Sequence, residues 1–469
     1  MVEILKMAVT FALVLGVLVV IHELGHFLVA KFFGIRVEVF SVGFGKRIWG
    51  TKKGDTDYRL SLIPLGGYVK MAGENLDEQI TGAPDEFMSK PKWQRFCVAV
   101  AGPVMNIIMA IAIPAALVMI HYEVPASLNK PAVVSAVEPS SPAEKAGLKP
   151  GDLITEIAGE PIPTWRDVTE QVIVRPDQEV PVTIKRSGET QQLMVRIASD
   201  PTEQEKIGYL GASPDPGPNT KIVVETIEAG SPAAEAGLKP GDQLLAVNGT
   251  PVPQNRQGTY TIIRTIKGSA SQPVTLTVKR GDESLDIKAT PRNVDGVERL
   301  GFGQNLHGAD MIVTRLSPAD AFNYSLDYNM RILRLTKTAL AQVFVGQRSA
   351  KDTLTGPVGI FKLSGQAAEQ GMQSVLQLMA LLSLNLGIFN LLPIPVLDGG
   401  MIFLLVLEGL LGLFGLTLGL RVKEKMMQVG FVMLMLLMGF VIFNDISKLF
   451  PSRATPPQQV EQQAPPENK

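Results

Sequence analysis

The chain has 469 residues, and its 44 Lys and Arg nearly balance its 45 Asp and Glu, for a formal net charge of −1. That balance gives no broad attraction to nucleic acid, and no basic cluster with interleaved aromatics is present. The single cysteine, Cys97, excludes an intramolecular disulfide and reads as a small core residue in an apolar stretch.

The first element is an apolar run over 7–33, long enough to span a bilayer. No small-residue cleavage site precedes His22, so the run is expected to be a retained membrane helix and not a signal peptide. It carries His22-Glu23-Leu24-Gly25-His26, which takes two of the chain's four histidines. Residues i and i+4 share a helix face, so both imidazoles can reach one metal ion, with Glu23 beside them as general base. An ionisable group at mid-bilayer costs about 2.5–3.5 kcal/mol, so an idle one is not expected there.

Next come a glycine-rich stretch, Ser41-Val42-Gly43-Phe44-Gly45, and residues 58–71, which alternate around Pro64-Leu65-Gly66-Gly67 as a hairpin would. A second apolar segment, 96–121, contains Pro103 and Pro114, which membrane helices tolerate. A third runs over 375–392 and a fourth over 426–443. The stretch 401–420, with Glu408 and several glycines, reads as re-entrant or interfacial. The loop between the first two spans is rich in Lys and Arg, and Arg421, Lys423 and Lys425 precede the fourth span. The positive-inside rule places both loops in the cytoplasm, and both termini and the long middle section outside. The Pro- and Gln-rich tail after Phe450 has a disordered composition.

The middle section contains a repeat. Residues 133–163 align without gaps on 223–253, an offset of 90, with 16 of 31 pairs identical. Leu210-Gly211 and Leu300-Gly301 match at the same offset. Each copy reads as strand, short helix at Pro-Ala-x-x-Ala-Gly, turn at Lys-Pro-Gly-Asp, then strands around a second helix. The pattern resembles PDZ domains of the permuted kind in bacterial envelope proteases. That resemblance implies a groove which adds an extended peptide to a sheet edge, with a carboxylate received by a glycine-containing loop. The candidate loops are Gly208-Tyr209-Leu210-Gly211 and Leu300-Gly301-Phe302-Gly303; unused spacers are the alternative reading. Residues 319–344 have apolar residues near helical spacing, either on the membrane surface or packed on the second repeat unit.

A catalytic zinc site generally takes three protein ligands and leaves one position open. In the apolar string Asn390-Leu391-Leu392-Pro393-Ile394-Pro395-Val396-Leu397-Asp398-Gly399-Gly400 the one acid, Asp398, reads as a third ligand or as a cap for the following helix. The HExxH pattern on another membrane helix favours the ligand reading. A silent scaffold would not need Glu23, and a zinc transporter would want a path of further ligands, which the spans lack.

Together these motifs resemble the site-2 protease family of intramembrane metalloproteases, in its branch of bacterial envelope-stress regulators. The resemblance implies one zinc ion per chain held by His22, His26 and Asp398, with Glu23 activating water. It assigns substrate contact to Asn390, which would meet the substrate backbone or help stabilise the oxyanion, and to Pro393, Pro395, Gly43, Phe44, Gly67 and Tyr68; the element Ala101-Gly102-Pro103-Val104-Met105-Asn106 it assigns to structural support. The implied substrates are pre-trimmed single-span membrane proteins, anti-sigma factors among them, and remnant signal peptides. The implied location is a cell inner membrane, with the active site near the cytoplasmic side. The expected fold class is a multi-pass α-helical membrane protein with about four transmembrane helices, a cytoplasmic membrane-associated β-hairpin and two extramembrane α+β PDZ domains. Its expected divisions are 1–121, the PDZ domains 122–213 and 214–305, a connector 306–371, helices over 372–450 and a tail 451–469.

Overall fold

The computed structural model describes residues 2–74, 81–200, 206–294, 296–353, 355–416 and 418–449; the tail expected after Phe450 lies outside them. The chain forms two compact units. One comprises Met1–Leu117, Pro318–Ile332 and Ala350–Lys469, and the other Val118–Ser317 and Leu333–Ser349.

In the first unit, four helices among the described residues are long and apolar enough to cross a membrane: Glu3–Phe32, Lys92–Ile120, Met372–Leu391 and Arg421–Ser447. Val14 and Leu18 of the first pack with Ala367, Val375, Leu378 and Met379 into a shared core. Close approach is set by small residues. A methyl on Gly25 would stand 2.3 Å from the Ala101 carbonyl oxygen, so the first two helices meet backbone to backbone there. The fourth helix is fastened by Asp445, which accepts from Gly356, Val358 and Gly359 N–H at the start of helix Pro357–Gln370. Helix Asp398–Leu413 takes up the first part of the 401–420 stretch, and its Glu408 is buried between Lys92 and Lys423.

Pro114 cannot donate to the Ala110 carbonyl one turn before it. Asn329 Nδ2 does so instead, at 3.0 Å, and Ser325 Oγ donates to Ile111 O at 2.6 Å. Both lie on helix Pro318–Phe344. The first half of the amphipathic helix expected over 319–344 therefore packs on the second membrane helix through polar contacts, which neither expectation for it included.

The loop between the first two membrane helices is a larger sheet than a hairpin over 58–71. Strands Val37–Lys53 and Thr56–Met71 are joined at Gly54, whose φ of 62° suits glycine. The chain does reverse near Pro64, but the two limbs do not pair with each other. They flank one segment: Phe40 is partnered by Val69 on one side and Tyr58 on the other, and Val42 by Gly67 and Leu60. Residues 67–71 are thereby left as an outer strand, which lies against the first membrane helix.

The second unit holds both repeat copies. In the first, Glu160–Pro161, Leu153–Ile157, Glu179–Arg186 and Glu189–Arg196 form a four-stranded sheet in that order. Its inward residues, Ile154, Ile157, Val182, Ile184 and Val195, pack on Trp165, Val168 and Val172 of helix Trp165–Ile173. In the second, Ile222, Val224, Leu244, Leu276 and Val278 meet Ile262 and Ile266 of helix Arg256–Lys267. Ser141 and Ser231 cap the short Pro-Ala helices by accepting from the third N–H beyond. The Lys-Pro-Gly-Asp turn has a matching purpose in each copy. Asp152 takes both arms of the Arg186 guanidinium at 2.7 Å and the Lys149 N–H at 2.8 Å; Asp242 repeats this with Arg280 and Lys239. Tyr122–Pro125, at the expected start of the first module, pairs with Met311–Thr314, near the expected start of the connector, as a two-stranded stem; residues 306–307 instead finish strand Phe302–His307 of the second copy.

Candidate metalloprotease site

The first membrane helix presents His22 and His26 on one face, 7% and 8% exposed. The irregular segment after helix Met372–Leu391 brings in Asp398. A methyl on Gly399 would lie 2.0 Å from the Leu392 carbonyl oxygen and one on Gly400 2.5 Å from that of Ile394, so only glycines let the segment fold back so closely. Leu397 takes the N-cap position of helix Asp398–Leu413. The Asp398 carboxylate turns to the histidines, with Oδ2 3.0 Å from His22 Nε2 and Oδ1 3.4 Å from His26 Nε2. The two Nε2 atoms are 3.2 Å apart.

Those separations fit a small tetrahedral ion. Bonds of about 2.0–2.1 Å give a tetrahedron edge of about 3.4 Å, close to all three distances, and two imidazoles with one carboxylate are a zinc donor set. The rings are turned for it. His26 Nδ1–H donates to Val98 O at 2.8 Å, which leaves Nε2 with its lone pair. Asn106, fully buried, meets His22 Nδ1 at 3.1 Å. With Nδ2 on that ring nitrogen, Asn106 Oδ1 would be buried without a partner and the imidazole proton forced onto Nε2. Turning the amide about its terminal bond removes both faults: Oδ1 accepts from Nδ1–H and Nε2 faces the ion.

Glu23 points to the same space and accepts from Val69 N–H at 3.1 Å. A cavity of about 330 Å³ opens there, lined by the four residues above together with Tyr68, Glu74, Asn390 and Met401, among others. Of the sequence candidates, Asn390 and Tyr68 are thus brought to the metal ligands. Phe44 stacks on Tyr68, with ring centroids 6.3 Å apart and planes 9° apart, and Pro395 packs on Gly430 of the fourth membrane helix. Gly43, Gly67 and Pro393 do not line the cavity. Glu74 was not visible as a site residue; it accepts from Met71 N–H at 3.2 Å, and burial holds its carboxyl above the ordinary range.

In the two repeat-copy loops, Gly211 and Gly301 both have φ of 76°. Gly303 and Phe302 lie in strand Phe302–His307, and Leu210 is in the core of the first copy. The Tyr209 hydroxyl donates to Glu138, as does the Tyr260 hydroxyl at 3.3 Å, and these groups border a cavity of about 520 Å³ between the two copies. Burial and the neighbouring Glu138 carboxylate both push the Tyr209 hydroxyl up.

Comparison with known proteins agrees with this geometry. Residues 10–437 match the profile of peptidase family M50. The regulator of sigma-E protease RseP of Salmonella typhimurium is 34% identical over 96% of this chain and 100% of its own. The protein of the same name from Escherichia coli is 33% identical over 94% of this chain and 98% of its own. A provisionally named zinc metalloprotease of Neisseria meningitidis is 31% identical over 94% and 98%. Among solved structures, the PDZ domain of an SdrC-like protein from Listeria monocytogenes aligns with 19% of this chain at 20% identity and a TM-score of 0.16. A family match over most of the chain and relatives above 30% identity at nearly full length have one meaning: the chain belongs to peptidase family M50 and is a membrane zinc metalloprotease.

Proposed function

We propose that this protein is an intramembrane endopeptidase that cuts the membrane segments of pre-trimmed single-span proteins, anti-sigma factors and remnant signal peptides among them. One observation carries the reading: three ligand atoms spaced for one zinc ion, and a carboxylate beside them, share a cavity among helices of membrane-spanning length. His22, His26 and Asp398 would hold one zinc per chain. Zinc supplies Lewis acidity, polarising a peptide carbonyl and making water more acidic. Glu23 takes the water's proton and delivers it to the leaving nitrogen. Asn390, at the cavity wall, contacts the substrate backbone, and Pro393 and Pro395 keep that wall out of helical form.

A helical substrate shields its peptide bonds, so it must unwind before attack. The outer strand 67–71, with Gly67 and Tyr68, offers backbone groups to the extended chain, and Gly43 and Phe44 support it from the neighbouring strand. The two repeat copies are PDZ modules that screen the substrate's external part, with Tyr209, Leu210, Gly211, Gly301, Phe302 and Gly303 as their loop residues. The protein sits in the cell inner membrane with both termini and these modules on the periplasmic side and the catalytic centre toward the cytoplasm.

The test is cleavage of a tagged single-span substrate by purified protein in detergent, with wild type, Glu23→Gln and chelated wild type compared. Loss of the base should cost about 10²–10⁴-fold in rate with zinc retained. Cleavage that survives Glu23→Gln would sink the assignment of the base.

A further inference from the structure

The outer strand 67–71 has one edge on residues 37–42, and its other edge has no strand partner among the described residues. Along a strand, alternate N–H groups point the same way, so those of Gly67, Val69 and Met71 face outward while those of Tyr68 and Lys70 face the neighbour. Two of these outward donors are held by carboxylates of the chain itself: Val69 by Glu23 and Met71 by Glu74. Two residues of strand span about 6.6–6.8 Å, which is also the repeat of the carbonyls that an added strand would offer to the same edge. Gly73, at φ of 66°, makes the tight reversal that returns Glu74 beneath the strand. An exposed edge invites unwanted pairing, and inward charges are one way of blocking it.

We propose that Glu74 is a displaceable plug of the substrate's strand position. Resting on the reading that substrate adds to this edge, the proposal assigns two carbonyls of the extended substrate to the places now taken by Glu23 and Glu74. The arriving chain then displaces Glu74 from Met71 and releases Glu23 from Val69, so the base comes free only when a substrate strand is in place. Specificity follows: segments that unwind readily can compete with the plug, and stable helices cannot.

The experiment uses the full-length protein, zinc-loaded, with Glu23→Gln to stop turnover; glutamine keeps the bond from Val69. A fluorescent single-span peptide is titrated in detergent, with a photo-crosslinking phenylalanine analogue at Tyr68 reporting strand contact. Loss of a charged competitor for one N–H is worth roughly one decade, so Glu74→Ala should lower Kd about tenfold with zinc content unchanged. Glu74→Gln, which keeps an acceptor, should fall between. In the active background Glu74→Ala should lower KM. Crosslinking with Kd unchanged or raised overturns the plug and leaves the edge reading standing. Crosslinking absent from every variant overturns both. Loss of zinc in both Glu74 variants makes Glu74 a structural residue and overturns the proposal.

Discussion

Asn106 offers the sharpest test of how the metal ligands are held. It is fully buried on the second membrane helix, and no atom of it belongs to the ligand set. For His22 to present Nε2 to zinc, its one imidazole proton must sit on Nδ1, and Asn106 Oδ1 is the acceptor within reach of it. Replacement by leucine, of similar size, keeps the packing and leaves that N–H buried without a partner. The cost of such an orphan is about 1–3 kcal/mol. At about 1.4 kcal/mol per decade, zinc should bind roughly 10–100-fold more weakly, the range seen when such outer contacts of metal-ligating histidines are removed. Asn106→Asp restores an acceptor at the same place and should bind zinc at least as tightly as wild type. The assay is competition with a chromophoric zinc chelator in detergent, which needs no cleavage. Zinc affinity of Asn106→Leu within twofold of wild type, or Asn106→Asp as weak as Asn106→Leu, would refute the hydrogen-bond argument.

Gly102→Ala would place a methyl 2.3 Å from His26 Nε2 and 2.8 Å from His22 Cε1, so zinc stoichiometry should fall toward zero although alanine is the better helix former. Retained zinc in the purified variant would mean that the helices separate there more easily than the packing indicates. The repeat copies should respond to acid through Asp152 and Asp242. Burial works to raise both carboxyls, but the Arg186 and Arg280 forks and the Lys149 and Lys239 N–H groups outweigh it and hold them below the usual range. Because the folded value is depressed, their stabilisation is complete above the unfolded value near pH 4 and is lost as pH falls through the folded one. Asp242→Asn should destabilise the second copy at neutral pH. In the intact protein, its resistance to proteolysis should then be lower at pH 7 and vary less below about pH 4. An unchanged acid profile would remove Asp242 from that role.

What could be read in advance divides along a physical line. His22, Glu23 and His26 were legible because a helix converts spacing in sequence directly into a shared face. Asp398 was legible because an acid in an apolar, helix-breaking string has few other uses. The partners of these groups were not. Asn106 is one polar residue in a long apolar segment, and its meaning depends on which face of the second helix meets the first, a choice made by the Gly25–Ala101 contact. Arg186 and Arg280 lie beyond the gapless alignment at an offset of 94 instead of 90; three of the four extra residues are in the helix between, which has 9 residues in one copy and 12 in the other. Pro64-Leu65-Gly66-Gly67 announced a reversal but not the strand that each limb would find, because turn chemistry is local and register is set by distant partners. Glu74 follows from that. Only after 37–42 takes both limbs does 67–71 become an outer strand, and only then does an ordinary loop glutamate stand beside the catalytic base on the same edge. The residues that perform the chemistry were therefore encoded locally, whereas those that orient and gate it arise from contacts between segments far apart in the chain.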